Sequence, residues 1–215
     1  PDLAGGVIGD FSIDFHEVWW VSEDKLYRTA LPKTYKAQDD QLQRRMAAER
    51  ASHIWRRSIL PSPHHPYLVK KQIKPYLARQ HHKLLVLPIM DLAGNLTSLQ
   101  FIDEIGTKCL LKDGKKKGCF IPVVYSQSQM EMLIVCEGWA TGCTLAEVNP
   151  QANVIAAIDA GNIRSISTDL RCRYPSAEIL IAGDDDRLTD GNPGRSKAMQ
   201  AATATGSHVI FPRWP

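Results

Sequence analysis

Short apolar runs and helical segments alternate along the second half of the chain, and this alternation most limits how the chain can fold. The runs cover residues 132–136, 154–158, 179–182 and 208–211, and the segments 139–148, 163–174 and 194–205 between them have helical character. Apolar runs this short, separated by helices, are typical of a short parallel sheet with helices on its faces. The pattern predicts an α/β domain over residues 126–215.

Acidic residues follow the first three of these runs. Glu137 follows the first, Asp159 the second, and Asp184, Asp185 and Asp186 stand just beyond the third. Functional side chains collect at the carboxyl ends of parallel strands, which meet at one edge of the sheet. We therefore expect a site at this edge.

The three consecutive aspartates predict a metal site. Adjacent carboxylates repel and raise each other's pKa, and a divalent cation relieves that repulsion. Alternate residues of an extended segment face the same side, so Asp184 and Asp186 can bind one ion while Asp185 points elsewhere. Oxygen ligands of this kind suit Mg²⁺ or Mn²⁺, and Glu137 can hold a second ion or exchange a proton with a hydroxyl. A solvated acidic turn is the alternative interpretation.

Polar residues at two further positions are expected to shape loops. Asp159 and Asn162 can cap the turn that starts a helix, and for Asp159 this structural role is favoured over the alternative of a catalytic one. Asn192 and Gly194 are expected to shape the loop that starts the last helix.

The first part of the chain is basic and the last part is acidic. Up to residue 120, 19 Lys and Arg stand against 13 Asp and Glu, whereas the remainder has 7 against 10. Residues 1–125 are therefore expected to form a smaller basic α+β lobe that holds a polyanion beside the acidic domain.

Lysines concentrate in two segments of this lobe. Lys70 and Lys71 belong to a short helix or turn over residues 67–75. The segment 109–120 is interpreted as a polar hairpin around Asp113-Gly114, with lysines at 112, 115, 116 and 117. Such a cluster can bind an anion, and a solvated β-turn is the alternative.

The remaining elements of the lobe are predicted from the strand and helix propensities of their residues. We expect a small hairpin or meander over residues 7–20 and an amphipathic helix, continuous or broken in its middle, over residues 35–60. Residues 83–90 and 96–102 are two strands joined by turn residues.

Cysteine spacing and hydropathy favour a cytoplasmic protein. The five cysteines include no C-x-x-C pair, so reduced thiols are expected and zinc binding is not. The longest apolar run, 84–90, contains a proline and is far shorter than the roughly 20 residues of a membrane span. Since the chain begins at Pro1 rather than a methionine, we expect it to be a fragment of a longer protein.

The acidic residues and the strands that carry them resemble the Toprim domain. An apolar strand ending in Glu137-Gly138, followed two strands later by one ending in Asp184-x-Asp186, matches its pattern. Bacterial primases, type IA and type II topoisomerases and some nucleases share this domain.

A finer similarity is to the Toprim primases of plasmids and satellite phages. EGWATG (137–142), IDAGN (158–162) and GDDDRLTDGNPGRSKA (183–198) resemble motifs of that group. The upstream segments HPYLVKKQIKP (65–75), LPIMDLAGNLTSLQFI (87–102) and KCLLKDGKKKGCF (108–120) are also similar to such primases.

This resemblance implies a DNA primase, a nucleotidyltransferase that joins ribonucleoside triphosphates into short RNA primers on a single-stranded DNA template, with Mg²⁺ or Mn²⁺. Catalysis and metal binding would fall to Glu137, Asp184 and Asp186. The role of Asp185 stays open, because the bacterial primases read D-G-D where this chain reads GDDD. The residues that match the family's template- and nucleotide-binding positions are Lys108, Lys116 and Lys117, with Lys70 and Lys71 as further candidates.

Two other functions fit the same residues. One is a Toprim nuclease or a topoisomerase-like enzyme that cleaves DNA, and the other is a non-catalytic nucleic-acid-binding module. A topoisomerase needs a nucleophilic tyrosine on a further domain, and none of the six tyrosines stands out. No zinc-binding module or helicase motif is recognised in the sequence, so a replicative helicase or further domains would be partners outside this chain.

Overall fold

The structure is a computed structural model that describes residues 4–10, 15–22, 25–29, 33–126 and 130–213, with side chains from residue 39 onward. The chain divides into two compact units, Pro1–Gln43 and Arg44–Pro215. The boundary predicted between residues 125 and 126 stays a prediction.

The first unit contains an antiparallel meander. Its strands are β1 (Ala4–Asp10), β2 (Phe15–Ser22) and β3 (Lys25–Thr29), which pair in chain order. The predicted hairpin or meander is thus confirmed. Helix α1 (Lys33–Arg57) begins in this unit and continues unbroken into the second.

The second unit opens with a four-stranded antiparallel sheet. After α2 (Pro66–Lys71), strands β4 (Arg79–His81), β5 (Leu84–Met90), β6 (Leu96–Ile102) and β7 (Lys108–Leu110) follow in spatial order β4-β5-β6-β7. The predicted β5–β6 hairpin is confirmed. Ala51 of α1 is fully buried against Val86 and Leu99, so the last turns of α1 cover one face of this sheet.

The polar hairpin predicted over residues 109–120 is wrong. Its first part, β7, pairs with β6, while Phe120 pairs with Met90 in an isolated bridge. Residues 111–119 between them form a lysine-rich loop, in which Gly114 donates to the Leu111 carbonyl and Cys119 to the Lys116 carbonyl in local turns rather than across a hairpin. The Asn162 side chain donates to the carbonyls of Lys116 and Cys119, 3.3 and 2.7 Å away, and accepts from the Gly118 amide at 3.0 Å.

A second sheet, of five strands, forms the rest of this unit. Its elements in chain order are β8 (Ile121–Val124), β9 (Met132–Cys136), α3 (Trp139–Val148), β10 (Asn153–Ala156), α4 (Ala160–Arg173), β11 (Glu178–Ala182), α5 (Pro193–Thr205) and β12 (His208–Ile210). The strand order is β12-β11-β9-β10-β8. The parallel sheet is confirmed for four strands, and β8 adds an antiparallel edge that the sequence analysis missed.

Helices cover both faces of this sheet. Successive side chains of the central strand β9 point to opposite faces, and because these side chains are all apolar, each face needs a covering layer. Leu133 and Val135 lie in the core cluster shared with α4 and α5, whereas Ile134 and Cys136 lie in the cluster shared with α3. The strand is therefore buried on both sides, which is why its sequence is a continuous apolar run.

All five cysteines are free, as expected. No helix in the described part of the chain has the length and apolar character that a membrane span requires.

Candidate active site

Glu137 stands at the carboxyl end of the central strand β9. Gly138 follows as the N-cap of α3, so the strand and helix leave the glutamate at the sheet edge. Burial above all, and also the negative charges of Asp184, Asp186 and Asp159, raise the pKa of Glu137 to about 7, while Lys108 opposes them. The site therefore holds closely spaced negative charge.

Asp184 lies beside Glu137 because their strands are neighbours. β11 pairs with β9 in parallel, and Ala182 is the register partner of Cys136. Burial and the charge of Asp186 raise the pKa of Asp184, whereas Lys108 lowers it. The sheet thus brings together the acidic residues that lie 47 positions apart in the sequence.

These carboxylates suit a hard divalent cation in their chemistry. Mg²⁺ typically binds one or two protein carboxylates and keeps several waters for itself and for substrate phosphates. Among the residues that the structure describes, no three His, Cys, Asp or Glu side chains converge on one point that could hold a metal. These residues therefore suit an ion that is held by two carboxylates and by waters better than an ion whose ligands all come from the protein.

Asp186 is held in place by the start of α5. Its Oδ2 accepts a hydrogen bond from the Gly194 amide at 2.9 Å, and its own amide donates to Asn192 Oδ1 at 2.9 Å. A Cβ atom on residue 194 would stand 2.7 Å from Asp186 Oδ2 and 2.9 Å from the Asp184 carbonyl oxygen. The glycine is therefore needed for this close approach.

Asp185 points away from its two neighbours into the loop. Its side chain is 3% exposed; Asn192 Nδ2 donates to its Oδ1 at 2.7 Å and Arg187 Nε to its Oδ2 at 2.6 Å. Arg195 Nη1 lies 3.8 Å from Oδ1. A carboxylate occupied in this way organises the loop, in keeping with the alternation expected of an extended segment.

Two of the predicted lysines lie near the acidic residues. The charge of Lys108 acts on both Glu137 and Asp184, and its Nζ would be 3.8 Å from a Cβ on Gly138. Lys116 Nζ lies 2.5 Å from Asp159 Oδ2, while Asp159 Oδ1 accepts from the Asn162 amide at 3.1 Å and caps α4.

The other three predicted lysines are not in contact with the acidic residues. Lys117 is exposed in the loop after Lys116, and Lys70 and Lys71 are exposed at the end of α2. Their proposed contact with nucleic acid therefore depends on how far a bound strand extends.

Residues 132–212 match the family of the Toprim domain. The match spans the sheet from β9 to β12, together with Glu137 and the three aspartates. This part of the chain is a Toprim domain.

Two curated relatives from Escherichia coli, both named DNA primase TraC, extend the similarity beyond the Toprim domain. One is 35% identical over 186 residues, which cover 82% of this chain and 17% of the relative. The other is 40% identical over 157 residues, which cover 68% of this chain and 11% of the relative. The chain thus spans less than a fifth of the length of either relative.

Two solved structures share the fold. The primase fragment of the bacteriophage T7 primase-helicase protein aligns with a TM-score of 0.53 at 15% identity, over 69% of this chain and 64% of that one. The DnaG primase catalytic domain, solved bound to single-stranded DNA, aligns with a TM-score of 0.52 at 13% identity, over 81% and 75%. At such identities the likeness concerns the fold.

Sequence reasoning missed the pairing of Asp185 with Arg195, which depends on the folded loop and had no local signal. Arg44 is one of the arginines of the predicted helix that could contact phosphates or form an ordinary solvated face. Its position beside the lysine-rich loop comes from packing, because Arg44 shares a helix face with Ala47 and Ala51, which pack on the sheet.

Proposed function

We propose that this chain is the catalytic part of a DNA primase, a nucleotidyltransferase that joins ribonucleotides on a single-stranded DNA template. The observation that carries the proposal is the meeting of Glu137, Asp184 and Asp186 at one edge of a Toprim domain whose curated relatives are named DNA primase. The antiparallel sheet and its basic loop are included in the similarity to these relatives.

A divalent cation, Mg²⁺ or Mn²⁺, would be held by Asp184 and Asp186, with Glu137 close enough to contribute. When bound, such an ion offsets negative charge that develops on the reacting phosphate. The hydrogen bond from the Gly194 amide would hold the Asp186 carboxylate in position before substrate binds. This limits the reorganisation that the site needs during the reaction.

The reaction would form one bond and break one. The 3′ oxygen of the growing primer attacks the α-phosphorus of the next ribonucleotide, and the bond from that phosphorus to the bridging oxygen breaks and releases pyrophosphate. Glu137 would accept the proton of the 3′ hydroxyl. Its half-buried position among other carboxylates raises its pKa, which favours a proton acceptor near neutral pH.

The basic residues would bind phosphates on either side of this chemistry. Lys108 lies next to the acidic residues and would contact the triphosphate, while Lys116 and Lys117 would hold the template. Lys70 and Lys71 would extend the contact along the strand. Since such contacts release counterions, binding of DNA should weaken as salt rises. A cytoplasmic location and a replicative helicase or further domains as partners stay predictions.

Primer synthesis tests the proposal. The chain is incubated with single-stranded DNA, ribonucleoside triphosphates and Mg²⁺ or Mn²⁺, and labelled RNA is resolved by length. Short RNA that depends on the template supports a primase. Cleavage of DNA without synthesis would favour a Toprim nuclease, and binding with neither reaction would favour a non-catalytic module.

A further inference from the structure

A small basic cavity lies between α1 and the lysine-rich loop. Its volume is about 220 Å³, and it is lined by Arg44, Gly114, Lys115, Lys116 and Lys117. Pockets for drug-sized ligands usually measure about 300–1,000 Å³, so this cavity suits a group smaller than a nucleoside.

The loop wall of the cavity is fixed by its packing. Gly114 lies so close to Ser98 that a Cβ atom there would overlap the Ser98 hydroxyl. Thr97 Oγ1 donates to the Lys115 carbonyl at 3.2 Å, and Asn162 Nδ2 donates to the Lys116 carbonyl at 3.3 Å. Because these carbonyls are bonded to the protein, the loop backbone is organised before any ligand binds, which lowers the cost of binding.

The helix wall is fixed by the same face of α1 that packs on the sheet. Ala47 and Ala51 are fully buried, and Arg50 Nη2 donates to the Lys112 carbonyl at 3.0 Å while it lies 3.6 Å from Asp113 Oδ2. Arg44 stands one helical turn before Ala47 on that face, so the packing brings its guanidinium to the cavity.

The charge of the cavity is largely uncompensated. Lys116 is paired with Asp159. Within the side chains that the structure describes, Arg44, Lys115 and Lys117 form no ion pair. Three cations around a concave surface focus a positive potential on it and attract an anion.

We propose that this cavity binds a phosphate group, with Arg44 and Lys115 as its main ligands. Guanidinium and ammonium groups both bind phosphate well, and Arg can do so with two parallel hydrogen bonds. The phosphate belongs either to the backbone of the DNA template or to a nucleoside triphosphate. Only this choice of source depends on the proposed primase function; the binding of phosphate follows from the cavity itself.

One ion pair, between Lys116 and Asp159, connects the wall of the cavity to the acidic site. Lys116 borders the cavity and contacts Asp159, whose charge in turn acts on Glu137. A strand whose phosphate occupies the cavity would therefore lie beside the carboxyl edge of the Toprim sheet.

Two variants and a matched control test the proposal. Arg44→Gln and Lys115→Gln remove cavity charges, and Arg45→Gln removes the same charge from the next residue of α1, whose side chain is 81% exposed and pairs with Glu49. One arm measures binding of a fluorescent oligothymidylate by anisotropy over a range of salt concentrations. The other measures binding of ATP without DNA by calorimetry, and circular dichroism verifies folding.

The cavity variants should weaken the binding of oligothymidylate, of ATP or of both several-fold. Arg45→Gln should leave the affinity for both ligands unchanged. If DNA is the ligand, each lost contact should reduce the slope of log K against log salt by about 0.7. Weaker DNA binding alone assigns the phosphate to the template, and weaker ATP binding alone assigns it to the nucleotide.

The proposal is overturned if Arg44→Gln and Lys115→Gln behave like Arg45→Gln in both arms. Primer synthesis by the unsubstituted chain, measured in parallel, separates the two claims. Synthesis with no effect of the cavity variants rejects only the cavity, whereas a clear binding effect without any synthesis supports the cavity and rejects the primase.

Discussion

The Lys116 ammonium group lies 2.5 Å from the carboxylate of Asp159, which stands 43 residues later in the chain. Lys116 belongs to the loop between the two sheets, and Asp159 caps α4 of the Toprim domain. The pair therefore connects the basic loop to the edge of the sheet where the acidic residues gather.

Asp159→Asn should lower the pKa of Glu137 without unfolding the protein. The variant loses one of the negative charges that raise this pKa. It keeps an N-cap oxygen for α4, since Asn caps helices about as well as Asp. Both partners of the ion pair are 42% exposed, so solvent screening limits the lost stability to about 1 kcal/mol or less. Carboxyl ¹³C chemical shifts of Glu137, followed over pH, measure the change; an unchanged pKa would contradict it.

Asn162→Ala should be much more destabilising. The amide is 3% exposed, and it donates to Cys119 and Ala157 carbonyls at 2.7 and 2.9 Å while it accepts from Gly118. Leaving such groups buried without partners costs about 2–4 kcal/mol in all. Urea unfolding measures this loss. The matched control is Asn95→Ala, an exposed turn residue that should cost under about 1 kcal/mol; equal losses would contradict the account.

Local pattern was enough to predict the four parallel strands of the Toprim sheet but not its antiparallel edge strand β8, and long-range packing explains what it could not predict. Runs such as 132–136 are apolar throughout because both faces of the strand are buried. The loop after β7 was interpreted as a hairpin because its turn residues are local signals, whereas its true partner, Asn162, lies more than 40 residues away. The inward position of Asp185 likewise depends on Arg195 and Asn192, which only the folded loop brings to it.

Gly194→Ala should impair catalysis more than binding. The added methyl group would press on Asp186 Oδ2 and on the Asp184 backbone, so both aspartates would have to move. A displacement of about 1 Å at a reacting centre can reduce a rate about a hundredfold. Primer synthesis and oligonucleotide anisotropy on the same samples should show a lost rate with retained binding. Gln200→Ala, an exposed change on the same helix, is the control, and full activity of Gly194→Ala would refute the role of this close approach.

Glu137→Gln should stabilise the metal-free protein at high pH. The pKa of Glu137 rises from 4.5 to about 7 on folding, so the folded state binds more protons than the unfolded state between these values. Stability contributed by this residue therefore falls as the pH rises through that interval. Because Glu137 is partly solvated, we expect a gain of about 1 kcal/mol for the variant above pH 7.

Urea unfolding in a chelator, at pH values from 4 to 8, measures this difference. The gain should vanish toward pH 4, where the glutamate is protonated in both states. Glu178→Gln, an exposed carboxylate on β11, is the control and should change the stability at pH 8 by less than about 0.5 kcal/mol. A Glu137→Gln protein that is less stable than the unsubstituted chain at pH 8 would contradict the electrostatic account of the site.

The most direct measurement is the yield of template-dependent RNA from Asp184→Asn combined with Asp186→Asn. Asp190→Asn, an exposed aspartate on the same loop, serves as the matched control. The account predicts that the double variant loses about a hundredfold or more of the synthesis rate while Asp190→Asn retains it. Undiminished RNA synthesis by the double variant would contradict the assignment of these carboxylates as the catalytic centre.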